Sequence, residues 1–471
     1  MTANTIGLSL LILGLALLVG KWIRVRFKIF SYFFLPSSII AGFLMLLLGP
    51  EVLGKILSAD ETFAYGLFNA DMFTVFQSLP GLLISVIFAG LFIGKKIPGL
   101  KDIWMTAGPQ VSFGQSVAWG QYVFGLLVTM AVLVPVFNAN PMVGALIEIA
   151  FEGGHGTSAG LAGTFEELGF SEGRDLAMGL ATVGVLSGVI FGVILINWSV
   201  RKNHTVYLKK RDEMDVAETT GIVPKAERKP SSLMTVSTES IEPLALHFGV
   251  IALAIMIGIG ILQSLVWLES VTWGRDGGFM IFRYIPLFPV AMLGGVIVQF
   301  MLQRFDKHEL ISRDMINRLQ GLALDFLIVG AMASLSLTVI GEHLEVFVIL
   351  ALTGIVWNLF MFVVVARHMI PKYWFERGIG DMGQSMGMTA IGLMLIRIVD
   401  GKNKTGALEA FGYKQLLFEP FVGGGVMTAI SVPLIFQFGP LPVMLFSLVV
   451  MTVWLLVGLL YFGRKRFDEI P

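Results

Sequence analysis

Long apolar runs separated by short polar segments make up most of this 471-residue chain. A membrane-spanning helix needs about 20 mostly apolar residues, and eleven runs approach or exceed that length. The predicted spans, with soft edges, are 5–20, 30–50, 79–94, 116–138, 177–199, 244–268, 281–302, 320–340, 344–366, 414–437 and 440–463. The pattern therefore predicts an all-α polytopic membrane protein.

Two further apolar stretches, 141–167 and 379–398, are interrupted by glycine and polar residues. Basic residues follow the first, third, fifth, seventh and ninth predicted spans and end the chain. Because cytoplasmic loops carry an excess of Lys and Arg, this places the N-terminus outside and the C-terminus in the cytoplasm. With that topology, 141–167 enters and leaves from the outside, and 379–398 from the inside. We therefore expect two re-entrant hairpins from opposite faces.

The order of elements recurs in two halves. Pro36 with Ala41 in the first half recurs as Pro286 with Ala291 in the second. The predicted organisation is a first membrane repeat at 1–200, a cytoplasmic linker at 201–242, a second, inverted repeat at 243–438, and an extra C-terminal helix with a basic tail at 439–471. Each repeat has about five transmembrane helices and one hairpin. Inverted repeats with paired broken segments indicate a secondary transporter whose site lies between the breaks.

Composition narrows the function classes. The chain is 55% hydrophobic and 14% charged, whereas soluble domains carry about 25% charged residues. Its net charge of zero argues against a nucleic-acid partner. Cysteine is absent, which excludes thiolate metal sites and Cys nucleophiles. No phosphate-loop or HExxH motif occurs, so we expect neither an ATP-driven pump nor an enzyme, and no cofactor.

The first break offers both an anion site and a cation site. Its candidate substrate ligands are Gly154, His155, Gly156, Thr157 and Ser158. We expect Thr157 and Ser158 to cap the following helix, whose N-terminal N–H groups would face an anion. Glu152 and Gly153 are candidate sodium ligands, because carboxylate oxygens and freed backbone carbonyls suit that ion. Alternatively, Glu152 faces the substrate or simply lies in the outer vestibule. We expect His155 to be a packed, hydrogen-bonded residue rather than a metal ligand.

The second break carries a carboxylate in an apolar stretch. Gln384, Ser385 and Thr389 are candidate substrate ligands, and Asp381 and Gly383 are candidate sodium ligands. An ionisable residue inside a membrane segment is a functional candidate by default. Asp381 could also pair with a substrate ammonium group or relay a proton. The structural alternative is that it caps a helix or lies in cytoplasmic water at the hairpin base.

The motif Gly153-Gly154-His155-Gly156-Thr157 resembles the signature of the bacterial sodium/glutamate symporter family. The segments 35–42, 380–390 and 418–423 resemble further segments of that family, and the likeness covers roughly 5–438. The resemblance implies two inverted five-helix repeats with hairpins and sodium-driven glutamate uptake. It also implies a homodimer in a bacterial inner membrane, in which a core carrying the hairpins slides against a scaffold.

Two departures from the family pattern add negative charge. Asp381 stands where the family usually has His, and Glu152 replaces a small neutral residue. Both should weaken the binding of a dicarboxylate unless sodium or a proton offsets them. We therefore expect sodium-coupled uptake of glutamate or a related carboxylate or amino acid. The alternative is a sodium- or proton-coupled ion exchanger with Asp381 as its switching carboxylate. A receptor with 201–242 as signalling arm is disfavoured by the brevity of that segment.

Overall fold

The computed structural model describes residues 2–27, 29–30, 35–57, 63–95, 100–202, 204–205, 222–223, 225, 228, 230, 232, 234–275, 282–400 and 404–464. Regular structure in these residues is entirely helical. The first half contains α1 (Ala3–Arg26), α2 (Ser37–Gly54), α3 (Ala70–Ala89), α4 (Trp104–Phe137), α5 (Leu146–Phe151), α6 (Gly154–Gly160), α7 (Ala162–Glu167) and α8 (Gly173–Arg201). The second contains α9 (Pro243–Val271), α10 (Leu287–Phe305), α11 (Arg313–Ala333), α12 (Leu344–Met369), α13 (Trp374–Gln384), α14 (Thr389–Val399), α15 (Ala407–Phe418), α16 (Val426–Phe438) and α17 (Pro440–Phe462).

Ten helices within the described residues are long and apolar enough to cross a membrane. They are α1 to α4, α8 to α12, and α17, which confirms the polytopic all-α prediction. The predicted span 414–437 is wrong as a single helix, because the chain leaves the helix between α15 and α16. Gly423 and Gly424 there have φ angles of +71° and +104°. Most of the linker 201–242 and the basic tail from 465 lie outside the described residues.

The helices form two compact units that interleave along the chain. The first unit comprises Met1–Ile97, Ala159–Gly163 and Asp215–Thr338. The second comprises Pro98–Ser158, Thr164–Met214 and Val339–Pro471. Each unit therefore takes elements from both halves of the sequence. The first contains α1 to α3 with α9 to α11, and the second contains α4, α5 and α8 with α12 to α17.

Matching small-residue contacts hold two helix pairs of the first unit together. A Cβ on Gly20 of α1 would lie 3.0 Å from the Cβ of Ala41 in α2. A Cβ on Gly258 of α9 would lie 2.7 Å from the Cα of Ala291 in α10. Small residues let membrane helices approach closely, where packing rather than the hydrophobic effect stabilises them. Ala41 and Ala291 are the two alanines whose sequence contexts match.

Side chains of α11 and α10 donate hydrogen bonds to backbone carbonyls at the end of α3 and in the residues that follow it. The guanidinium of Arg313 donates to the carbonyls of Gly90 and Ile93, at 2.6 and 2.7 Å. Gln320 donates to the carbonyl of Ile87 at 2.6 Å, and Gln299 to that of Lys95 at 2.7 Å. The last carbonyls of a helix have no partner within it, so these side chains let the chain end α3 inside the unit.

In the second unit, the C-terminal helix α17 packs against α4. Trp104 of α4 contacts Trp454 and Phe462 of α17, with ring centroids 6.3 and 5.4 Å apart. Further along, Trp119 of α4 meets Phe446 edge-on at 5.5 Å. The extra helix predicted beyond the second repeat is thus part of the fold of this unit.

The glycine contact between α9 and α10 can be tested with two substitutions in one helix. Gly258→Leu should force α10 away and cost about 1–3 kcal/mol through overpacking. Gly260→Leu should have little effect, because a Cβ there meets nothing within 4 Å. The apparent melting temperature of detergent-purified protein measures both. Equal melting temperatures for the two variants would contradict the close approach of α9 and α10.

Candidate functional site

The second break is a turn between two packed helices. α13 and α14 lie against each other, and a Cβ on Gly383 would be 3.0 Å from the Cα of Gly392. The carbonyl of Ser385, at the start of the turn, accepts hydrogen bonds from Gln121 of α4 at 3.0 Å and Asn358 of α12 at 2.9 Å. Unwound backbone inside a membrane is tolerated only when protein or a wet cavity satisfies it. Buried amides perform that role here.

The first break meets the second. α5 ends at Phe151, and Gly154 opens α6 with a left-handed φ of +68°. A Cβ on Gly154 would lie 2.6 Å from the carbonyl oxygen of Gly387. Only glycine combines this φ angle with so close an approach. The predicted site residues of the two breaks therefore come together, and we call residues 152–158 with 381–389 the junction.

The capping role expected for Thr157 and Ser158 is wrong. Both lie inside α6, which begins three residues before Thr157. The Ser158 hydroxyl donates to the carbonyl of Gly154 at 2.9 Å, so it is occupied within its own helix. α6 has seven residues including Gly156, and so short a helix gives no basis for the expected N-terminal anion site.

α8 lies directly behind the junction. A Cβ on Gly184 would be 2.5 Å from the carbonyl oxygen of Met386, and Gly387 packs against Val185. His155 is buried, and its Nε2 shares a hydrogen bond of 3.0 Å with the Thr182 hydroxyl of the same helix. His155 is therefore packed and hydrogen-bonded, as expected.

Several buried oxygens of the junction lack hydrogen bonds of ordinary geometry to any described residue. They are both carboxylate oxygens of Glu152, both of Asp381, and the hydroxyls of Thr157 and Ser385. Glu152 is 4% exposed, with the Ser385 hydroxyl and the Lys414 ammonium as its polar neighbours. A buried polar group without a partner costs about 1–3 kcal/mol, more when charged. Such a set of oxygens suits a bound ligand or cation.

Asp381 is buried in the interior of α13 and forms an ion pair with Lys414 of α15, with 3.2 Å between Oδ1 and Nζ. Neither side chain is exposed, so the placement of Asp381 in cytoplasmic water is wrong. Lys414 also donates to the Oε1 of Gln384 at 3.0 Å. Beside this pair, the Thr389 hydroxyl accepts from Gln415 at 3.2 Å. Substrate and sodium candidates of the second break thus share partners on α15.

The sequence interpretation did not identify Lys414 as a site residue. A lysine at the start of a predicted span is usually an interfacial anchor whose stem is buried and whose ammonium reaches water. One signal in the sequence could have identified Lys414. It and Asp381 are an isolated base and an isolated acid in apolar stretches of the same half, and charges inside a membrane tend to pair.

A third break adjoins the junction. Glu148 of α5 accepts hydrogen bonds from the Gly423 N–H and the Thr428 hydroxyl, both at 2.8 Å, and from the Tyr122 hydroxyl. Its carboxylate thereby holds the chain where α15 ends and α16 begins. A Cβ on Gly423 would lie 3.6 Å from the carbonyl oxygen of Glu152. Glu148 is a positioning residue with its oxygens engaged, in contrast to Glu152.

The described residues contain no group of three or more His, Cys, Asp or Glu side chains that could hold a metal ion. A coupling sodium ion can instead be held by a carboxylate with hydroxyl and backbone carbonyl oxygens. The oxygens of Glu152, Thr157 and Ser385 are of these types.

Ten apolar spans, with interrupted helices meeting inside one unit, define a multi-pass membrane protein with a buried polar junction. The sequence model of the sodium/glutamate symporter family matches residues 3–399. The chain belongs to this family, as the resemblance indicated. No curated protein matches the chain. The matched region ends before α15, so Lys414 and the third break lie outside it.

The contact between the two breaks can be separated from backbone strain. Gly154→Ala and Gly169→Ala both place a Cβ on left-handed backbone, with φ of +68° and +69°, at about 1–2 kcal/mol each. Only Gly154→Ala also pushes against Gly387, because Gly169 has nothing within 4 Å. We expect Gly154→Ala to lower the free energy of unfolding by about 1–3 kcal/mol more than Gly169→Ala does, and so to lower the melting temperature further. An equal loss in both variants would contradict the contact.

Proposed function

We propose that this protein is a secondary active transporter that couples sodium to the uptake of L-glutamate or a related carboxylate or amino acid. Membership of the sodium/glutamate symporter family supports transport, the coupling ion and the substrate class. The observation that carries the proposal is the group of buried, unsatisfied oxygens of Glu152, Thr157 and Ser385 where two breaks meet.

Charge balance gives the coupling its physical basis. Glu152 is buried, and an anionic substrate beside it would be repelled in a low-dielectric site. A sodium ion on Glu152 removes that repulsion, so each ligand favours binding of the other. Substrate would contact Gly154, His155, Gly156, Thr157 and Ser158 on the first break, and Gln384, Ser385 and Thr389 on the second.

Alternating access would proceed by movement of the second unit as a core against the first as a scaffold. Both breaks and every candidate ligand belong to the second unit, which supports this division. The matched contacts of Gly20 with Ala41 and Gly258 with Ala291 support two inverted repeats. The loop charges support two re-entrant hairpins, with the N-terminus outside and the C-terminus in the cytoplasm. The family supports a homodimer in a bacterial inner membrane.

Glutamate uptake into proteoliposomes tests the proposal directly. An inward sodium gradient should drive accumulation of labelled L-glutamate, and replacing sodium with choline should abolish it. A panel of carboxylates and amino acids should also raise the melting temperature with sodium present, since ligands that bind the native state stabilise that state. The proposal would be contradicted if no compound of the panel entered the liposomes or raised the melting temperature.

Glu152→Gln should reduce the stimulation of uptake by sodium about tenfold or more, because the neutral amide cannot balance the charge of the ion. A tenfold loss corresponds to about 1.4 kcal/mol of coupling free energy. The control is Glu166→Gln, an exposed carboxylate of α7, which should transport normally. Sodium-stimulated uptake that persists in Glu152→Gln would exclude this carboxylate as the sodium ligand.

The second candidate function is a sodium- or proton-coupled ion exchanger in which Asp381 switches between charged states. The complete burial of Asp381 favours it. Counterflow of labelled substrate separates the two functions. Symport predicts counterflow with glutamate or a related compound, whereas exchange predicts none and a sodium-dependent proton movement instead.

A further inference from the structure

The ammonium of Lys414 lies in surroundings that would suit a free monovalent cation. The carboxylate of Asp381 is 3.2 Å away, the amide oxygen of Gln384 is 3.0 Å away, and the ring centroid of Phe418 is 3.9 Å away. A carboxylate, a neutral oxygen and an aromatic face all attract a cation. The whole side chain is buried, so the charge has no route to water.

A glycine in the neighbouring helix α4 leaves room for this ammonium. A Cβ on Gly114 of α4 would lie 2.5 Å from Cε and 2.8 Å from Nζ of Lys414. Any side chain at position 114 would therefore collide with the end of Lys414, and the ammonium would have to shift. The absence of a side chain there creates the space in which the cation sits.

The charges of the junction leave one carboxylate for a mobile ion. Asp381 and Glu152 are both buried, and the Lys414 ammonium is paired with Asp381. Asp381 also has the Arg377 guanidinium as a more distant charged neighbour, whereas among the described residues no cation forms an ion pair with Glu152. We propose that Lys414 is a tethered cation that permanently fills the cation position beside Asp381, so that mobile sodium binds at Glu152 alone. This inference rests on the proposed sodium coupling and revises the expectation that Asp381 binds sodium.

Removal of the ammonium should convert the position into a second sodium site. Lys414→Ala removes the ion-pair partner of the buried Asp381, which is strongly destabilising, and leaves space for an ion. Sodium should then restore the lost stability. Removing both charges in Asp381→Asn/Lys414→Ala should give a protein with no need for the extra ion.

The experiment is a thermal unfolding titration of purified protein with sodium chloride, exchanged against choline chloride at constant ionic strength and without substrate. We expect Lys414→Ala to melt below wild type in choline and to recover in sodium. Its melting temperature should rise with sodium more steeply, by the equivalent of about one additional bound ion. The double variant should show the wild-type slope, and Lys307→Ala, which removes an exposed lysine, should match wild type throughout.

An unchanged sodium slope in Lys414→Ala, or a loss of stability that sodium does not restore, would overturn the inference. If Lys414→Ala does not fold, Gly114→Ala replaces it, since it displaces the ammonium while keeping the lysine. We expect Gly114→Ala to lose stability that sodium restores, and Gly412→Ala, where a Cβ meets nothing within 4 Å, to lose none. No restoration by sodium in Gly114→Ala would also overturn the inference.

The outcome is distinguishable from failure of the proposed function. Symport fails if wild type shows neither sodium stabilisation nor uptake. The tethered cation alone fails if wild type responds to sodium and Lys414→Ala responds with the same slope.

Discussion

The structure depends on satisfying backbone that leaves the helix in the buried interior of a membrane protein. Each unpaired N–H or C=O there costs several kcal/mol, so a break is stable only where the protein supplies partners. Gln121 and Asn358 supply them to the carbonyl of Ser385, and Glu148 supplies them to the chain at Gly423. Buried polar side chains thus meet the chain where these helices stop, and the same polar environment can receive an ion or a polar substrate.

Hydropathy predicted the membrane helices well, because span length and apolar content are properties of the sequence alone. It failed at 414–437, where apolar composition continues across the interruption between α15 and α16. The local signal was the sequence Pro420-Phe421-Val422-Gly423-Gly424-Gly425, since successive glycines permit backbone that other residues avoid. Composition averaged over about 20 residues hides such a short signal.

The candidate site was partly predictable for the same reason. The glycine-rich breaks identified most of the junction, and the close contact of Gly154 with Gly387 brings them together. Roles that depend on the start of a helix or on a distant partner were not predictable. Thr157 lies inside α6 because Gly154, with its left-handed φ, begins that helix. Lys414 reaches Asp381 from a helix more than 30 positions along the chain, and no local pattern encodes that distance.

A cation attached to the chain differs from a dissolved one in its effective concentration. The ammonium of Lys414 is attached to the chain and lies 3.2 Å from Asp381. Tethered groups act at millimolar or higher effective concentration, which the dissolved sodium concentration does not set. A carrier that uses it would keep its binding site assembled in dilute sodium. It would also co-transport one ion fewer. The driving energy lost with that ion is about 2.3 kcal/mol per charge for each 100 mV of membrane potential. Such a carrier would build a smaller substrate gradient but would function where sodium is scarce.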